Sequence, residues 1–317
     1  MKIRFVFLVF IVFSNAFSFA RRNVQLIDSL IAQLPNTKID SIKLKIYKDI
    51  IKENYYSSST ECDSSQVTYY AKVGERLAKK IGFKEDIAKI YWYMGGFYTY
   101  KTSNYSLAKH YYNRMMNIYQ SINNVKGIAD GFECYGKLAF QQNDFTEAAN
   151  YFYKGIKIAE SVHYDNLLAR IYRRLGLLYY TQKDYNALLE VSKKGLEIAQ
   201  KLDSNSTSVI EALNNIGIVY QNRYDSLNAE QYFARALKVS LRIKDTTQIA
   251  VIYGNIAGLR RTQNLEGYLQ YLDFMFKIKA MYDVANVEPM NRAENYNYTS
   301  QCVFIYSTLF IKKQGNC

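Results

Sequence analysis

The stretch LLARIYRRLG places Arg170, Arg173 and Arg174 within five positions of one another. A guanidinium is a planar fork of donors that pairs bidentately with carboxylates. This trio therefore suits recognition of an acidic segment or a C-terminal carboxylate. Further along, ALNNIGIVYQN supplies Asn214, Asn215 and Asn222, and IYGNIAGLRR supplies Asn255 and Arg261. A carboxamide offers one group that donates and one that accepts, which is what a peptide unit requires of a partner. Upstream, IYWYMGGFYTYK contributes Tyr93, Phe97, Tyr100 and Lys101, and CYGK contributes Lys137. In chain order the candidate chemistry runs from aromatic through basic to amide-rich.

Catalytic chemistry is poorly served by comparison. The two histidines, His110 and His163, have no matched serine, cysteine or carboxylate near them in sequence, and neither a glycine-rich phosphate loop nor an H-E-x-x-H pattern occurs. Cys62, Cys134, Cys302 and Cys317 are scattered without C-x-x-C spacing, so a structural metal site is not expected. The expectation is a binding protein, not an enzyme, with no cofactor.

The elements that must carry these side chains repeat. In YWYMGGFYTYKTSNYSLAKHYYNRM, YGKLAFQQNDFTEAANYFYKG, LGLLYYTQKDYNALLEVSKKG and IGIVYQNRYDSLNAEQYFARAL, an apolar stripe at helical spacing leads to a polar turn and then to a second amphipathic stretch. Gly96, Gly136, Gly176 and Gly217, continued by Ala257, mark the period at steps of 40, 40, 41 and 40. Turns fall at Ser103-Asn104, Asn143-Asp144 and Lys183-Asp184, so each unit reads as a helical hairpin. Small residues such as Gly136, Ala148 and Gly155, or Gly217, Ala229 and Ala236, stand where two helices must approach closely. Trp92, Phe132, Tyr172, Leu213 and Tyr253 take the bulky site one turn before each marker.

This constellation resembles the tetratricopeptide repeat: a bulky residue, a pair such as Leu175-Gly176 or Ile216-Gly217, Tyr179 or Tyr220 three residues on, then small and aromatic sites as in Ala229, Phe233 and Ala236. The common repeat has 34 residues. This one is near 40, with the extra residues after each second helix, and is similar to the long-period arrays of kinesin light chains, bacterial peptide-sensing regulators and exported regions of bacterial signalling proteins. The resemblance implies an all-α right-handed superhelix of about six hairpins over residues 39–282, an α-solenoid whose concave surface is lined by first helices. It also implies that Asn215 and Asn255, each just before the Leu-like residue of the motif, hold the backbone of an extended peptide. Partners would then be a protein or extended peptide, acidic where the arginines meet it.

Ahead of the array, MKIRFVFLVFIVFSNAFSFA has Lys2 and Arg4, an unbroken apolar run from Phe5 to Phe13, and small residues at Ser18 and Ala20. That order is a secretory signal over residues 1–20, cleaved after Ala20, with 21–38 as a lead-in; the alternative is a retained membrane anchor over 1–20. Losing Lys2 and Arg4 with it lowers the net charge from +13 to +11. Export, here to the periplasm, makes nucleic acid the least suitable partner for that charge. Residues 283–317 read as a linker and one more helix, with no charged residue from Tyr296 to Ile311. This last helix is expected to be either a terminal cap or the start of a seventh repeat cut short, in which case the chain would be the sensing part of a larger membrane-anchored regulator.

Overall fold

The computed structural model describes residues 25–56 and 64–260, so the signal segment, the second helix of the sixth hairpin and the C-terminal region 283–317 lie outside the described residues. All regular structure among the described residues is helical. A helix α1 over 25–33 precedes α2 (Asp40–Tyr56) and α3 (Ser64–Lys80), α4 (Lys84–Tyr100) and α5 (Tyr105–Ser121), and α6 (Val125–Gln141) and α7 (Phe145–Ser161). Then come α8 (Asp165–Gln182) and α9 (Tyr185–Leu202), α10 (Thr207–Asn222) and α11 (Ser226–Ile243), and α12 (Thr246–Arg260). Two compact units divide at residue 163: α2 to α7 form three hairpins of the first, and α8 to α11 form two hairpins of the second, with α12 packed after them. No helix among the described residues is long and apolar enough to cross a membrane.

Each of the four hairpin turns among the described residues is made by two adjacent residues with complementary tasks. Ser103, Asn143, Lys183 and Tyr224 turn the chain through positive φ, at 52°, 61°, 59° and 59°. The next residue caps the second helix: side chains of Asn104, Asp144, Asp184 and Asp225 accept from the backbone N–H three positions on. One otherwise unpaired donor of each new helix is thereby satisfied.

Packing within three of the hairpins rests on an aromatic ring laid over a glycine. A Cβ added to Gly136 would stand 2.5 Å from the Phe152 ring, one on Gly217 would stand 2.5 Å from Phe233, and one on Gly95 would collide with Tyr112. These rings are at most 1% exposed. Full burial of such a side chain favours folding by about 1.5–3 kcal/mol, so the glycine is the condition for the ring to be seated at all.

The same contacts correct the register read from the period in the second hairpin. Gly95, not Gly96, is the counterpart of Gly136 and Gly217, and the bulky site one turn earlier is Tyr91, which is buried, while Trp92 is only partly covered. Gly96 answers to a different neighbour, since its Cβ would meet the ring of Tyr55 at 2.7 Å. Adjacent glycines let α4 receive one ring from α5 and another from α2.

Candidate partner-binding faces

In the first unit the aromatic candidates gather round Tyr55 of α2. Its ring centroid lies 5.8 Å from Trp92 and 6.3 Å from both Tyr93 and Tyr100. Burial pushes the Tyr93 hydroxyl up to about 12, with Tyr56, Asp49 and Glu53 adding to the shift. Phe97 departs from the expectation that it faces a partner: it is fully buried. Helix α4 is covered round most of its circumference, from Met94 through Thr99, so it has no single apolar stripe from which an outward face could be read. Lys101 is half-buried at the end of α4, where its backbone N–H donates to Phe97 O.

Lys137 is also drawn inward. It is 7% exposed, with Nζ 3.8 Å from Glu133 Oε1 and 5.5 Å from the Trp92 ring centre. Burial alone would favour the neutral amine, but the charge of Glu133 outweighs it and holds Lys137 above its ordinary value. This lysine is a member of a buried pair, and an acidic partner would have to break that pair to reach it.

In the second unit the basic and amide residues come together across α8, α10 and α12. Arg173 Nε stands 3.6 Å from Glu211 Oε2, with the two side chains 19% and 24% exposed. Gln248 Nε2 donates to the other oxygen of Glu211 at 3.4 Å. Arg170 and Arg174 are half-buried on α8 and are engaged within the fold. Asn255 Nδ2 donates to Asn214 Oδ1 at 2.8 Å, joining α12 to α10. Asn214 is 7% exposed, so it serves as a strut between helices and not as an outward clamp.

Asn222 is likewise occupied locally, donating from Nδ2 to Ile218 O at 2.9 Å in its own helix. Asn215 is half-buried, and its Nδ2 lies 2.8 Å from where a Cβ on Gly176 would stand. Its amide covers the glycine that, in sister hairpins, lies under a ring. Arg261 lies outside the described residues. Glu211 was not singled out by the sequence, because nothing local marks one carboxylate 38 positions from Arg173 as its partner. Ser192, which lines a small cavity beside Arg173 and Asn215, was also passed over, although it breaks the internal pattern of aromatic residues at its site.

Helical hairpins with a near-forty-residue period, glycine-seated rings and capped turns are now joined by a direct match: residues 167–239, from α8 into α11, fit the tetratricopeptide repeat family. Residues 167–239 carry tetratricopeptide repeats. Solved structures with the same kind of fold include BtubC (BKLC) from P. vanneervenii, at 16% identity over 74% of this chain and 96% of that one, with a TM-score of 0.63. A Rap protein complexed with Competence and Sporulation Factor is 14% identical over 87% of this chain and 75% of its own, with a TM-score of 0.55. Aspartyl phosphate phosphatase F from Bacillus subtilis is 12% identical over 87% and 71%, with a TM-score of 0.59. At these identities the likeness is one of fold. No curated protein matches the sequence.

Proposed function

We propose that the tetratricopeptide repeats of the second unit bind a protein or extended peptide carrying an acidic segment, across the first-helix face formed by α8, α10 and α12. The observation that carries this reading is the clustering of cations there: Arg170, Arg173 and Arg174 lie within five positions on α8, all half-buried, and Arg173 is paired with Glu211 of α10. The half-buried setting of the arginines reduces screening and would strengthen a contact with an incoming carboxylate. A neighbour in fold, the Rap protein, was solved with a bound factor, which supports binding as the task of such an array. In this reading the protein acts by binding and not by catalysis, and residues 1–20 direct its export.

The test is a binding titration with an array of peptides differing only in Asp and Glu content, against the mature chain and its Arg173→Glu/Arg174→Glu variant. Acidic peptides should bind preferentially, and the double variant should bind at least tenfold more weakly with a flatter salt dependence while its circular dichroism is retained. Equal affinity of the folded double variant for the acidic peptides overturns the reading. N-terminal sequencing checks export separately: it should find Arg21, and Met1 on membrane-retained protein would reject cleavage.

A further inference from the structure

In three hairpins the glycine of the first helix is covered by a ring from the second helix: Tyr112, Phe152 and Phe233. In the hairpin of α8 and α9 the residue at that site is Ser192, sixteen positions after Gly176, as Phe152 is after Gly136 and Phe233 after Gly217. The missing ring is only partly replaced. The amide of Asn215 moves over Gly176, and a cavity of about 10 Å³ remains between α8, α9 and α10, lined by Tyr172, Arg173, Ser192, Ser208, Glu211 and Asn215 among others.

Ser192 is 3% exposed, and its Oγ is buried with no hydrogen-bond partner among the described protein groups. The comparison with Ser240 is instructive: that buried serine donates to Ala236 O one turn back, at 2.6 Å. Ser192 makes no such bond. A buried hydroxyl left alone is costly, and native proteins satisfy such groups with protein or with ordered water. A cavity of this size has room for one water, provided that two to four polar groups surround it. The walls supply hydroxyls from Ser192 and Ser208, a carboxylate from Glu211, an amide from Asn215 and a guanidinium from Arg173.

We infer that the Ser192 cavity is an internal hydration site for a single water molecule, and that this water and the Asn215 amide together take the place of the aromatic ring found in the sister hairpins. Ser192 is in consequence a positioning residue: by not being aromatic it leaves the space into which Asn215 turns. The inference rests on the cavity and the buried hydroxyl and is independent of what the array binds.

The experiment compares the full chain with Ser192→Phe, which restores the ring, by oxygen-17 relaxation dispersion and by crystallography. The wild-type crystal should show a density peak within hydrogen-bonding distance of Ser192 Oγ. The variant should lose one long-lived internal water and shift the side-chain amide resonances of Asn215. If the ring prevents folding, Ser192→Val fills the space with less bulk and should lose the same single water. An unchanged water count in whichever variant folds, or no density at Ser192 in the wild-type crystal, overturns the inference.

Discussion

A glycine in a helix costs up to about 1 kcal/mol relative to alanine, so its presence calls for a local reason. At Gly217 the reason is the Phe233 ring, whose atoms lie 2.5 to 3.1 Å from the place of a Cβ. Gly217→Ala should therefore destabilise by about 1–3 kcal/mol through overpacking. Among the described residues, Gly258 in α12 faces only the flexible end of Gln221, at 3.2 Å, so Gly258→Ala should be neutral or stabilising by up to about 1 kcal/mol. Chemical denaturation of the two variants reads the difference in sign. Glu75 allows a second test at this scale. Burial would raise its pKa, but bonds from Lys79, at 2.6 Å, and from Tyr91, with the charge of Arg114 at 2.9 Å, hold it below the ordinary carboxylate value. A depressed carboxylate contributes stability that is present above its unfolded pKa and is lost as pH falls through the lower folded value. Glu75→Gln should lower stability at neutral pH and reduce the loss seen between about pH 5 and pH 3. Urea titrations at pH 7 and pH 3 measure both, and equal losses in variant and wild type would exclude the role.

Between elements, stability depends on turns whose two residues have separate jobs. Asp184→Ala removes the acceptor for Ala187 N–H, at 3.0 Å, and should cost about 1 kcal/mol, within the usual range for a lost cap. Tyr224 is the opposite case: it holds φ at 59° while 94% exposed, so it meets the steric penalty of the left-handed region and gains almost no burial in return. Tyr224→Gly should raise stability by about 1 kcal/mol, measurable as a shift of the denaturation midpoint, and a loss would mean that the exposed ring has a partner in solution. These turns were legible in the sequence because a polar pair between two apolar stripes has few other uses. The register of the second hairpin was less so, since Gly95 and Gly96 stand side by side and the period alone prefers the wrong one. Only the third dimension shows that Tyr112 sits on the first and Tyr55 on the second.

For the whole molecule, the repeat and the arginine cluster could be read directly, because periodicity and charge are properties of the chain itself. The pairing of side chains could not. Asn255 reaches Asn214 and Arg173 reaches Glu211 only because successive first helices stack at a particular offset, which turns three groups read as outward into cross-links. Tyrosine distribution leads to a further consequence at this scale. Burial raises the hydroxyls of Tyr47, Tyr70, Tyr91, Tyr93, Tyr111, Tyr112, Tyr135 and Tyr151 in residues 1–163, and of Tyr180 in residues 164–317. For a group with a raised folded pKa, stability is complete below the unfolded value near 10 and is lost as pH rises toward the folded one. Tyr93 and Tyr135, pushed up to about 12, set that window at roughly pH 10 to 12, because the unfolded chain ionises there and the folded chain does not. Alkali should therefore unfold the first unit within that window. Trp92 is the sole tryptophan and lies in the first unit, so its emission maximum reports that unit, whereas the 222 nm circular dichroism reports every helix. On raising the pH through this window, the emission of Trp92 should shift to the red as the helical signal falls. An emission maximum unmoved up to pH 12 would show that the buried tyrosines do not set the alkaline limit of this unit.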